Sequence, residues 1–222
     1  MVDCRRCPRL VEYREEVARK KRREFLDWQY WGRPVPGFGD PNASLLIVGL
    51  APAAHGGNRT GRVFTGDRSG DFLYKALYKV GVANQPTSQS RDDGLRLKDA
   101  YVTAAVKCAP PDNKPTKDEM SNCASYLASE IRSLKDLKTA LCLGQFAFKA
   151  VMQMIQNKYN LKPRSPGFAH GRVLKLGEGI PVIVCSYHPS PRNTQTGKLT
   201  ESMFLYVLRK TLGYAKIAQN KP

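Results

Sequence analysis

The run Ser44-Leu-Leu-Ile-Val-Gly49-Leu-Ala-Pro-Ala-Ala-His55-Gly-Gly-Asn58-Arg59-Thr-Gly-Arg62-Val-Phe64-Thr-Gly-Asp67-Arg-Ser-Gly-Asp-Phe72 decides the fold. Its first part is short, aliphatic and bounded by turn residues, the pattern of a buried strand. Beyond it, Phe72, Leu73, Ala76, Leu77 and Val80 fall at helical spacing. The loop between carries glycines at 56, 57, 61, 66 and 70, which permit positive φ and let backbone approach a ligand closely. In open α/β sheets such a loop, at the carboxyl end of a strand, is where ligands sit. His55, Asn58, Arg59, Arg62, Phe64 and Asp67 are interleaved through it, so it reads as a binding cradle rather than a slack connector.

Working outward, the alternation repeats. Ala100–Val106, Thr139–Leu143 and Pro181–Ser186 read as further strands. Helices are expected at 116–134, where Thr116 and Glu119 form a capping box, at 145–156 and at about 198–212. Arg172–Leu176 suggests a short extra strand. Gly32–Asn42 and Asn84–Asp99 read as loops, the second partly mobile, and Asn157–His170 as a basic loop. At the amino terminus, Arg9–Trp28 reads as one charged helix containing the cationic run Arg19–Arg23. Alternating β/α order predicts an α/β fold, three-layer α/β/α around a central four-stranded, mainly parallel sheet, in a single domain spanning 1–222.

The 222 residues carry 36 Lys+Arg against 19 Asp+Glu, a net charge of +17. That excess favours a polyanionic partner, and nucleic acid before membrane, since no basic helix with a Trp/Leu face is apparent. No apolar run approaches the ~18 residues of a membrane span, and charges stand where a signal peptide needs an apolar block. A cytoplasmic monomer is expected.

Of the six cysteines, Cys142 and Cys185 lie mid-strand among aliphatics and read as core. Cys4 and Cys7 form a Cys-x-x-Cys pair, Cys108 opens a proline-rich turn, and Cys123 lies on the inward face of a helix. Four thiolates are a ligand set for structural zinc or an iron–sulfur cluster, and spacing does not choose between them.

The loop from Gly49 to Asp67, the later His188-Pro-Ser-Pro-Arg192-Asn193-Thr194-Gln-Thr-Gly-Lys-Leu and the four cysteines together resemble the type-b uracil-DNA glycosylases of thermophilic bacteria and archaea. The resemblance spans nearly the whole chain. It implies a [4Fe-4S] cluster on Cys4, Cys7, Cys108 and Cys123, and a partner in DNA containing uracil or other damaged bases. It implies a flipped base stacked on Phe64, with Ala53, Ala104 and Asn193 also at the substrate. His188 would donate to the departing base as negative charge develops. For orienting the attacking water the candidates are Asp67, then His55 and Asn58, although each also suits bracing the loop. Arg59, Arg62, Arg192 and Thr194 are expected at the DNA, with the basic stretch Lys158–Arg164.

Two positions depart from the related type-a pattern. Leu50 replaces an acidic residue before Ala-Pro, and Ala104 stands where an Asn reads the uracil edge. Alanine makes no hydrogen bond to a base edge, so a wider range including hypoxanthine is expected. Other readings are a cluster-bearing DNA-binding protein with a degenerate site, or another phosphate-binding enzyme. Gly-x-x-x-x-Gly-Lys is absent, which disfavours a nucleoside triphosphatase.

Overall fold

The computed structural model describes residues 1–162 and 166–217. Its strands are β1 (Phe38–Gly39), β2 (Leu45–Gly49), β3 (Ala100–Ala104), β4 (Thr139–Leu143), β5 (Val173–Leu174) and β6 (Val182–Ser186). The helices are α1 (Pro8–Lys20), α2 (Gly57–Thr60), α3 (Arg68–Lys79), α4 (Lys117–Ser133), α5 (Gln145–Lys158), α6 (Pro191–Gln195) and α7 (Glu201–Ala215).

The sheet runs β1-β3-β2-β4-β6-β5. Its four inner strands are parallel, as alternation demands, and the two-residue strands β1 and β5 add antiparallel edges. The expected four-stranded sheet therefore has six strands. The extra strand expected within Arg172–Leu176 is β5, whereas β1 fell in a stretch read as loop, because two residues carry no periodicity.

Each inner strand sends alternate residues to opposite faces. Leu45, Ile47, Val102, Leu141 and Val184 pack with α3 and α7 through Leu73, Leu77, Phe204 and Leu208. Leu46, Val48, Ala140, Cys142, Ile183 and Cys185 pack with α4 and α5 through Leu127, Ile131, Phe148 and Val151. Helices thus cover both faces in the three-layer arrangement. Both halves of the Thr116–Glu119 capping box form.

The amino-terminal helix ends at Lys20, not at Trp28. Lys21 turns to φ +54° and a 3-10 turn follows at Arg23–Phe25. The cationic run lacks an apolar stripe to hold it on the core. The helix expected at about 198–212 begins three residues later and runs to Ala215, capped by Thr200, with α6 as a separate short turn before it. The stretch 84–99 is a loop, yet Asp93 pins it, accepting from the backbone N–H groups of Gln89, Ser90 and Leu95.

Candidate active site

Chain order takes β2 to β3 on one side of the sheet and then to β4 on the other, so the strand order reverses between β2 and β4. A crevice opens outside the carboxyl ends of the strands at such a point. The glycine-rich loop leaves β2 there. Gly49, its last strand residue, pairs in register with Ala104 at the end of β3.

Phe64 sits above that pair in a left-handed conformation, φ +51°, which is uncommon for a bulky side chain. Its neighbours hold it there. A Cβ on Gly70 would fall 1.9 Å from the Phe64 carbonyl oxygen, so only glycine fits. Tyr74 Oη donates to the Val63 carbonyl at 3.1 Å. Strain retained at one residue by so many constraints marks a placed functional group. The Phe64 ring stacks on His188, with centroids 5.7 Å and planes 30° apart.

His188 follows β6. Asn193 Nδ2 donates to its carbonyl at 2.8 Å and so ties it to α6. Among the described residues no group hydrogen-bonds either ring nitrogen, which leaves both for a ligand. Burial of the imidazole pushes its pKa down to about 4, so it stands neutral at neutral pH.

Other loop residues sit elsewhere than expected. Arg62 is 3% exposed and wholly committed. It donates to Thr65 Oγ1 at 2.9 Å, to Ser88 Oγ at 2.8 Å and to Asp93 Oδ2 at 2.7 Å. Arg59, 4% exposed, donates to the carbonyls of His55 and Gly66 and lies between the rings of Phe25 and Trp28, at 3.9 and 4.1 Å from their centroids. Arg62 is not free to reach a phosphate, and its sequence reading is corrected because its charge is spent shaping the loop; Arg59, though buried, keeps Nη1 without a hydrogen-bond partner among the described residues. Asn58 is fully buried, its Nδ2 donating to the Arg14 carbonyl as a strut to α1, while its Oδ1 has no partner among the described residues. Asp67 Oδ1 caps α3, accepting from Ser69 N at 2.9 Å and Gly70 N at 3.0 Å. His55 Nδ1 is 2.9 Å from Tyr30 Oη. Ala53 is half-buried at the start of the loop, its carbonyl accepting from Asn58 N. Arg192 is exposed on α6, while Thr194 Oγ1 bonds back to the Ser190 carbonyl. Of the basic stretch 158–164, positions 163 and 164 lie outside the described residues.

Cys4, Cys7, Cys108 and Cys123 line one hollow between α1, the segment after β3, and α4, and none is in a disulfide. Among the described residues no set of three or more His, Cys, Asp or Glu meets the spacing of a metal site. The surroundings nevertheless suit thiolates. Arg14 Nη1, buried, donates to Cys108 Sγ at 3.0 Å, and the Lys107 backbone N–H to Cys123 Sγ at 3.2 Å. Burial pushes the Cys123 thiol up to about 11 against the lowering by Lys107, and raises the Cys108 thiol against the lowering by Arg14; a buried guanidinium aimed at Cys108 Sγ suits a sulfur that carries negative charge.

Several residues of this region carry no sequence signal. Ser88, Asp93 and Arg14 become visible only as hydrogen-bond partners, and Tyr30 and Trp31 lie in a stretch without periodicity.

The family model described as the uracil DNA glycosylase superfamily matches residues 36–211. A type-5 uracil-DNA glycosylase of Pyrobaculum aerophilum is 49% identical over 210 residues, covering 95% of this chain and 88% of the relative. One from Thermus thermophilus is 49% identical, over 92% of this chain and 90% of the relative. A type-4 enzyme of Archaeoglobus fulgidus is more distant, 29% identical over 70% of each chain. With the strand-end crevice and the Phe64–His188 stack already in place, these matches settle the relationship: the chain belongs to the uracil-DNA glycosylase superfamily and to its type-5 branch.

Proposed function

We propose that the chain is a monofunctional DNA glycosylase that hydrolyses the N-glycosidic bond of uracil in DNA, as a step of base excision repair. The observation that carries this is the Phe64–His188 stack at the reversal point of the sheet, together with identity to enzymes named for that activity.

A flipped nucleotide presents its base to Phe64, and the base stacks on that ring. As the bond from C1′ to the base nitrogen breaks, electrons move onto the base. His188, neutral because of its burial, donates a hydrogen bond to the oxygen where that charge collects, without itself becoming a counter-ion. Water adds its oxygen to C1′, and its proton leaves to an acceptor. Asp67 is best supported as that acceptor. Asn58 is buried on Arg14 and His55 is engaged by Tyr30, whereas Asp67 uses Oδ1 for its cap and its Oδ2 lies against Gly56. Burial also raises the Asp67 pKa, which makes its carboxylate a better base.

Lys107, the buried lysine after β3, is ion-paired with Glu130 at 2.7 Å and is not a Schiff-base nucleophile. This supports hydrolysis without strand cleavage. Ala104, in register with Gly49 at the strand ends, offers no hydrogen bond to a base edge, which supports discrimination by shape and hypoxanthine as a substrate alongside uracil.

Cys4, Cys7, Cys108 and Cys123 would hold a [4Fe-4S] cluster, whose contribution is a covalent staple joining α1 and α4 to the segment after β3. Among the described residues no helix is long and apolar enough to cross a membrane.

The test is a panel of duplexes carrying one uracil, hypoxanthine or hydroxymethyluracil, incubated with protein and then treated with alkali. Cleavage at uracil after alkali, and not before it, is expected. Strands intact at every lesion would return the chain to a DNA-binding role.

A further inference from the structure

We propose that a second hollow, beside the catalytic loop, binds an unpaired, undamaged nucleotide of single-stranded DNA by stacking and phosphate contact. It encloses about 490 Å³, within the range of small-molecule sites, and is walled by Trp28, Tyr30, Trp31, Arg33 and Arg91, with Asp92 also lining it.

The rings are set before any ligand arrives. Trp31 Nε1 donates to the Pro34 carbonyl at 3.1 Å and its backbone N–H to the Arg59 carbonyl at 2.9 Å. A Cβ on Gly61 would fall 3.0 Å from the Trp31 ring, so that glycine lets the indole seat against the loop. Trp28 is fixed over the Arg59 guanidinium, and Tyr30 by its contact with His55. Both indoles nonetheless remain partly exposed. Fixed, half-open aromatic rings interleaved with cations are the surface on which bases stack without regard to sequence, while phosphates meet arginine.

The cations are available. Arg91 lies over the Trp31 ring, 4.9 Å from its centroid, and its guanidinium is exposed. Arg33 is exposed and has only a loose 3.9 Å approach to Asp3. Asp92 lines the hollow and Asp3 approaches Arg33, while the buried Arg59 adds a third cation to the wall. Arg59 and Thr60, from the same glycine-rich loop that carries Phe64, form part of the wall. The inference rests on the DNA reading for its ligand class but not on the assignment of His188.

The chain has two tryptophans, and both line this hollow, so intrinsic fluorescence reports its occupancy. Titration of the full chain with uracil-free oligothymidylate should quench that fluorescence saturably. In the double variant Arg33→Ala/Arg91→Ala, the Kd should rise about tenfold, whereas Lys210→Ala, an exposed charge on α7, should leave Kd within about twofold, separating a local site from general charge. Absence of quenching, or an equal shift in both variants, overturns the proposal. Uracil excision from duplex, measured on the same preparations, keeps the two readings apart. Excision without quenching removes this site alone, and quenching without excision removes the glycosylase reading alone.

Discussion

A Cβ placed on Gly49 would fall 2.6 Å from Cζ of Phe64, closer than real side chains approach. The missing side chain at the end of β2 is thus what lets the phenyl ring lie down over the strand end and meet His188. Gly49→Ala should leave the sheet intact but lift the ring. A displacement of about 1 Å at a reacting centre costs ~10²-fold, so kcat for uracil excision should fall by that order with Tm nearly unchanged. Wild-type kcat in this variant would show that Phe64 is not placed by its floor.

His188→Ala removes the hydrogen bond to the departing base, and loss of one such donor costs ~10²–10³ in kcat. Because burial holds the native imidazole near pKa 4, below its ordinary 6.5, it stays neutral as pH falls to about 5. The wild-type kcat profile should show no inflection at 6.5 attributable to this residue. The unfolded chain takes up the proton first, so stability should fall as pH drops through the window from about 6.5 to about 4, and His188→Ala should remove part of that slope.

Asp67→Asn separates two roles. Asparagine caps a helix about as well as aspartate, so the bonds from Ser69 and Gly70 persist and Tm should move little. Loss of the carboxylate should reduce kcat by ~10²–10⁴ if it accepts the water's proton. A fully active variant would confine Asp67 to its cap.

Arg62→Ala strands Asp93, whose carboxyl is held at about 2 because, against burial, Arg62 and the backbone N–H groups of Leu95 and Gln89 together favour the carboxylate. Breaking a buried pair on one side costs about 3–5 kcal/mol, measurable by denaturant unfolding. Since Arg62 also fixes Thr65 and Ser88, excision should fall as well. A stability loss under about 1 kcal/mol would show that the loop stands without this hub.

Cys123→Ser should abolish the brown colour expected of the purified protein and loosen α4 from the segment after β3, lowering Tm. A colourless wild-type protein containing zinc would correct the metal and keep the staple.

What the chain's own residues determined is the inner sheet and its helices. Leu45 to Val48, Thr139 to Leu143 and the Thr116–Glu119 box act locally, through alternation and capping, and these signals survive without knowledge of neighbours. Gly49, Phe64 and His188 were also legible, as motif residues. The tertiary structure alone decided what the arginines do. Arg59 and Arg62 look identical in sequence to surface cations, and only the placement of Phe25, Trp28, Ser88 and Asp93 around them turns charge into scaffolding. The edge strand β1 and the hollow with both tryptophans belong to the same class, since each exists only when segments distant along the chain meet, and no periodicity records such a meeting.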